Sequence, residues 1–143
     1  MDIVGPSHTA FDLDAGNPHV DELREIFQCV EILWGEEEAV KFLVSKGYTL
    51  LERNYRFKKV EIDIIVRKEH IIIGVEVKTR NNSKVVPAFF AINKAKQRNL
   101  IYGINQYIKR FSEPIEVRMD AISVMNMGGQ IQITHLEDAF PAF

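Results

Sequence analysis

A chain of 143 residues, 46% hydrophobic and 27% charged, fits one soluble globular domain with a real core. Its single cysteine, Cys29, excludes an intramolecular disulfide, and its longest strongly apolar run, Ile71 to Val75, is far too short to span a bilayer. The net charge of −2 conceals an asymmetry: residues 1–52 carry a net −8, residues 53–98 a net +8 and residues 99–143 a net −2.

In chain order, residues 1–20 read as an irregular leader, with Gly5-Pro6 and Asp14-Ala15-Gly16-Asn17-Pro18, and residues 21–143 as the domain proper. From Asp21 to Lys46 the apolar positions Leu23, Ile26, Phe27, Val30, Leu33, Ala39, Val40 and Leu43 have helical spacing. Gly35 is a point at which this helix could divide in two, and Gly47 a C-terminal cap. Trp34 and the phenylalanines at helical spacing are expected in the core, and Cys29 half-buried. Tyr48 to Arg56 reads as a strand, followed by a basic turn at Phe57-Lys58-Lys59. Two runs rich in β-branched residues, from Glu61 to Val66 and from Ile71 to Arg80, form a hairpin around Lys68-Glu69-His70. Pro87 to Phe90 reads as a loop. Asn93 is a good N-cap for a helix from Lys94 to Arg110 that buries Leu100, Ile101, Ile104, Tyr107 and Ile108. Ile115 to Val124 and Ile131 to Thr134 are strands around a Gly128-Gly129 turn, and Phe140 is expected to pack back on the body. The order α, β, β, β, α, β, β predicts one α/β domain with a mixed sheet. No secretory signal is visible, so a cytoplasmic protein without membrane contact is expected.

The hairpin carries the chemistry. If Glu69-His70 is a two-residue turn, Asp63 falls opposite Glu76, with Cβ atoms roughly 5 Å apart. Side chains alternate along a strand, so Lys78 shares the face of Glu76. Two carboxylates that close repel unless a cation, a proton or a lysine lies between them, which is the geometry of a divalent-metal site with a lysine beside it. The bland alternative is a cross-strand salt bridge on a solvated face, but the neighbours Ile62, Ile64, Ile65, Ile73, Val75 and Val77 place the hairpin centrally in the sheet. Gly74 is expected to leave space beside the carboxylates. On one helix, Glu36 is surrounded by Ile32, Leu33, Ala39, Val40 and Leu43, so it lies on the buried stripe and needs a partner. If a helix begins at Gly35 instead, Glu36 is exposed in its first turn. The basic segment 53–98 contains this constellation and suits a polyanion, although clustering along the chain also fits lysines scattered over a solvated surface. The four histidines have no metal-ligand spacing, His70 reads as a solvated turn residue, and Arg118 and Asp120 as a structural ion pair on one strand face.

Glu61-Ile62-Asp63 followed by Glu76-Val77-Lys78 resembles the Asp…Glu-x-Lys motif of the restriction-endonuclease-like nuclease superfamily. With Gly35-Glu36, Gly47-Tyr48, Asn54-x-Arg56, Val75-Glu76-Val77-Lys78-Thr79-Arg80, Lys96-Gln97, Arg118-x-Asp120 and Ala139-Phe140, residues 31 to 140 more closely resemble the YraN-like family of bacterial proteins, itself similar to archaeal Holliday-junction resolvases. One departure is Val60, where that family usually has glycine before Glu-Ile-Asp.

The resemblance implies a restriction-endonuclease-like fold, a mixed sheet flanked by helices around an α-β-β-β-α-β core. It implies metal-assisted hydrolysis of phosphodiesters in DNA, branched DNA included. Asp63, Glu76 and the Val77 carbonyl would hold Mg²⁺ or Mn²⁺, Lys78 would orient the attacking water, and Glu36 and Gln97 would complete the catalytic set. Gln97 reads equally as a helix-surface amide. Arg53, Arg56, Lys58, Lys59, Arg80, Lys84, Lys94 and Lys96 would contact backbone phosphates without reading sequence. Symmetric cutting of a junction needs two active sites, hence an expected homodimer. The alternative is a nucleic-acid-binding or protein-interaction module that keeps the fold with little turnover.

Overall fold

The structure is a computed structural model describing residues 17–80 and 92–140. Lys84 and the Pro87–Phe90 loop lie outside the described residues. The chain packs as two compact units, Met1–Leu33 and Trp34–Phe143. In the first, the described residues are those from 17 to 33, nearly all in the opening half of α1 (Pro18–Ser45). Leu23, Ile26, Phe27, Val30 and Leu33 are between 48% and 60% exposed there, and Cys29 is exposed too. Periodic spacing is a correct signal for the helix, yet in this half it does not mark a core: Phe27 and Cys29 are more exposed than their spacing predicts.

The second unit is one five-stranded mixed sheet between two helical elements. The strands are β1 (Thr49–Phe57), β2 (Val60–Lys68), β3 (Ile71–Arg80), β4 (Glu116–Met127) and β5 (Gln130–Leu136), in spatial order of their numbers. Neighbours run antiparallel except β3 and β4, which pair parallel. That parallel step needs a crossover, and α2 (Lys94–Tyr107), closed by a 3₁₀ turn at Ile108–Arg110, lies in it. Two apolar layers result. The last turns of α1 place Ala39, Val40 and Leu43 with Ile64, Val66, Ile73, Val75, Val77, Ile122 and Val124. On the other face, Leu100, Ile101, Ile104 and Tyr107 of α2 pack with Ile62, Ile65, Ile72, Met119 and Phe140. Phe140 is therefore packed back on the body, as expected.

Local chemistry fixes the ends. The helix does not divide at Gly35; α1 ends where Gly47 takes a φ of +90°. Tyr48 N–H donates to the Leu43 carbonyl and Gly47 N–H to that of Val44, a Schellman arrangement. Asn93 caps α2, its side chain accepting from Lys96 N–H at 2.8 Å. Gly35 permits the closest approach of helix to sheet. A Cβ on it would overlap Thr79 Oγ1 and lie 2.9 Å from Thr79 Cβ, so α1 crosses β3 one residue beyond Lys78 with no room for a methyl group. Gly74 leaves no open space beside the carboxylates, contrary to expectation. Met119 Sδ fills the position to within 2.8 Å of where a Cβ would stand.

Candidate active site

The site forms where β2 and β3 part. They pair from Lys68↔Ile71 to Ile64↔Val75 around the two-residue turn Glu69-His70, and one further step of this register sets Asp63 opposite Glu76. The pairing ends there. Val77 N–H donates to Asp63 Oδ2 at 2.8 Å, so a side-chain carboxylate replaces the next rung of the ladder. β2 also turns over at this residue. Ile64 and Val66 face the α1 layer, whereas Ile62, which alternation would put beside them, lies in the α2 layer with Ile65. The partner residue on β1, between the rungs Arg53↔Ile64 and Tyr55↔Ile62, is Asn54 with a φ of +51°. An irregularity at Asn54 and Asp63 thus opens the edge of the hairpin and exposes a cleft.

That cleft is about 310 Å³, lined by Lys59, Val60, Glu61, Asp63, Glu76, Lys96, Asn99 and Leu100. Glu76 is only 4% exposed, and two cations converge on its Oε1: Lys96 Nζ at 2.8 Å and Lys78 Nζ at 3.5 Å. Burial, then the neighbouring Glu76 charge, pushes the Asp63 carboxyl up to about 7; the Val77 N–H bond and Lys96 oppose this and Glu36 adds to it. Glu36 is 6% exposed, which settles the choice between its two readings in favour of burial. Burial raises its carboxyl above the usual range against the pull of Arg53, with Glu61 and Glu76 contributing in the same direction as burial. Lys96 loses some charge stability to partial burial, but the Glu76 and Asp63 carboxylates outweigh it and hold its ammonium above the ordinary lysine value. The cleft therefore holds carboxylates whose mutual repulsion is only partly balanced by lysine.

Asp63 and Glu76 are the side chains able to hold a divalent cation, with the backbone at Val77 adjoining them. Among the described residues no three His, Cys, Asp or Glu side chains converge as a metal set. Two carboxylate oxygens completed by backbone and water are the hard, incompletely protein-ligated donor set that suits Mg²⁺.

The remaining expected site residues are distributed unequally. Gln97 donates its amide to the Ile92 carbonyl at 2.9 Å, a bond that fastens the start of α2. Arg53 pairs with Glu37 at 2.8 Å and Arg56 with Glu61 at 2.9 Å. Lys58 lies over the Phe57 ring, Lys59 lines the cleft, Lys94 is exposed, and Arg80 Nε is buried with no hydrogen-bond partner. Among the described residues, Lys96 is the phosphate candidate that contacts Glu76. Its signal was available: four residues before the buried, cleft-lining Leu100, it shares that face of α2. Val60 packs where a Cβ on Gly103 would stand, Cγ1 being 2.8 Å from that position, so α2 has room for valine.

A second polar cluster was only half legible. Asp120, fully buried, accepts from Arg118 Nε and Nη2 at 2.8 and 2.9 Å, as the expected ion pair. It also meets His135 Nε2 at 2.7 Å and accepts from Asp138 N–H at 3.0 Å, while Tyr48 Oη accepts from Arg118 at 2.9 Å. His135 comes from β5, and no spacing along the chain announces that pairing. The cluster ties the end of β5 to β4.

An α/β core with a mixed sheet and helices flanking it is consistent with a nuclease-like core. The chain belongs to the family described as Uncharacterised protein family UPF0102, whose profile matches residues 35–124. It is 40% identical to the UPF0102 protein of Flavobacterium psychrophilum, over 77% of this chain and 92% of that one. Similarity to the UPF0102 proteins of Phocaeicola vulgatus (36%, over 74% and 88%) and Christiangramia forsetii (35%, over 74% and 89%) is comparable. The family match begins at residue 35, next to the start of the second packing unit at Trp34.

Proposed function

We propose that this protein is a metal-dependent endonuclease that hydrolyses phosphodiesters in DNA, with branched DNA among its substrates. The observation that supports this best is the convergence of Asp63, Glu76 and Lys96 in one cleft, with Lys78 3.5 Å from Glu76 and Asp63 driven toward neutrality by burial and by Glu76. Such a site gains from a divalent cation, and Asp63 and Glu76 would hold Mg²⁺ or Mn²⁺ there. When bound, the ion acidifies its water and offsets charge on a phosphate oxygen. Lys78, on a central strand and 27% exposed, stands 3.5 Å from Glu76, which suits orienting a water and balancing developing negative charge. Glu36 adds a third acidic group at the edge of this field. Lys59, at the rim, supplies sequence-independent attraction for a phosphate.

Among the described residues no helix is long and apolar enough to cross a membrane. The non-enzymatic reading, a nucleic-acid-binding module with the same fold, draws on Gln97 being bonded to Ile92 rather than to the carboxylates. A homodimer would give a junction two cutting sites; sedimentation with and without DNA that shows only monomer would remove it.

The deciding experiment is cleavage of labelled linear, single-stranded, flap and four-way-junction DNA with Mg²⁺, Mn²⁺ or EDTA. Cutting should require metal and fall about a hundredfold or more in Asp63→Ala and Lys78→Ala. DNA bound by folded protein with no cleavage of any substrate would refute the enzyme and leave the binding module.

A further inference from the structure

We infer that Lys96 is the built-in counter-ion of the metal site, its ammonium holding the Glu76 oxygen that a divalent cation would take and leaving it when the ion binds. The inference rests on the metal-dependent reading above and adds a displacement step within it.

The geometry separates the two lysines. Lys78 Nζ is 3.5 Å from Glu76 Oε1 and rises from the same strand, two residues on. Lys96 Nζ makes the shorter contact to that oxygen, 2.8 Å, and reaches it from another element, the first turn of α2. The lysine side chain is 44% exposed, so its head has solvent to swing into, whereas Glu76 is almost wholly buried and cannot follow. A buried carboxylate without metal needs a cation close by, and a long flexible lysine provides one that can be exchanged. Asp63, in contrast, has the Val77 N–H and, among the described residues, no lysine within salt-bridge distance, so the pair carries less positive charge than its carboxylates call for. Replacing one ammonium by a divalent ion supplies the difference. Once displaced, Lys96 remains at the mouth of the cleft, within a side-chain length of a phosphate bound there. One residue thus neutralises the site before metal arrives and contacts the polyanion afterwards.

The test uses the full chain and Mn²⁺ alone, titrated calorimetrically at fixed pH and ionic strength. Lys96→Met and Lys96→Gln should bind Mn²⁺ about fivefold more tightly than wild type, the scale of a part-exposed ion pair. Lys109→Met, which removes an equal charge beyond the far end of α2, should bind as wild type does. Equal or weaker binding by both Lys96 variants overturns the displacement, and an equal gain in Lys109→Met reduces it to general charge. If no protein binds Mn²⁺, the metal reading itself fails. Wild type supplies an independent check: Mn²⁺ should raise pulse acetylation of the Lys96 amine, read by mass spectrometry, about twofold or more relative to Lys109 as the released head becomes solvated. Unchanged labelling with Mn²⁺ bound overturns the inference.

Discussion

Replacing Gly35 with alanine should destabilise the protein, although alanine is the better helix former by about 1 kcal/mol. The added Cβ would overlap Thr79 Oγ1, 2.9 Å from Thr79 Cβ and 3.0 Å from its Cγ2. Rotating a β-branched side chain exchanges one clashing atom for another, and its Cβ cannot move without the strand. The helix must therefore retreat from β3. Overpacking of this kind costs about 1–3 kcal/mol, which against the gain in propensity leaves a net loss of up to roughly 2 kcal/mol. Gly74→Ala is the comparison: its Cβ crowds the flexible end of Met119, at 2.8 and 2.9 Å, with Ile104 Cδ1 at an ordinary 3.6 Å, and should cost less. Urea unfolding of both variants, with m unchanged, measures the difference. If Gly35→Ala is as stable as wild type, or Gly74→Ala is the worse of the two, the close crossing of α1 over β3 is wrong.

Asp120→Asn should cost about 3 kcal/mol, the scale for removing one member of a buried ion pair, read by the same unfolding assay at pH 7. Burial alone would raise the Asp120 carboxyl, but His135, Arg118 and the Asp138 N–H lower it below the ordinary aspartate value. Its contribution is thus present above about pH 4 and lost as pH falls through its lower folded value, so the wild-type advantage should vanish in acid. Asp63 has the opposite sign. With its folded value near 7, its favourable contribution exists below about pH 4 and is lost as pH rises toward 7. In EDTA at pH 8, Asp63→Asn should be more stable than wild type, by at most about 4 kcal/mol, and the excess should disappear near pH 4. Gly103→Ala should be destabilising beside Val60, whose Cγ1 would lie 2.8 Å from the new Cβ, and neutral or better in Val60→Gly; a double-mutant coupling below about 0.5 kcal/mol would refute that contact.

Legibility in the sequence follows the range of the interaction. The two-residue turn at Glu69-His70 fixes the register of β2 on β3, so the opposition of Asp63 and Glu76 could be read from counting alone. Asn93 and Gly47 likewise declare the ends of their helices through bonds to residues three to five positions away. In α1 the helical period is equally clear, yet it is the same whether the stripe is covered or exposed. Ala39 and Leu43 are fully buried while Val30 and Leu33 are more than half exposed, and only tertiary packing separates them. Gly74 failed as an indicator of space for a related reason: what fills the gap, Met119, comes from a strand 45 positions later in the chain.

The site shows the same division and explains why the motif alone was incomplete. Asp…Glu-x-Lys records the part of the arrangement that one hairpin can build, two carboxylates and a lysine at fixed register. Charge balance is not confined to a hairpin. Among the described residues the cation nearest the buried Glu76 comes from α2, and the spacing between residues 76 and 96 carries no period that announces it. The turn-over of β2 at Asp63 is similarly hidden, since alternation is assumed in reading a strand and Asn54, which breaks it, lies on the neighbouring one. Both hidden features act on the same atoms. The irregularity gives Asp63 the Val77 N–H and opens the cleft, while the recruited lysine holds Glu76 in place within it. A hairpin without the irregularity would pair Asp63 and Glu76 as one more rung of the ladder, and one without Lys96 would leave Glu76, among the described residues, with the more distant Lys78 alone.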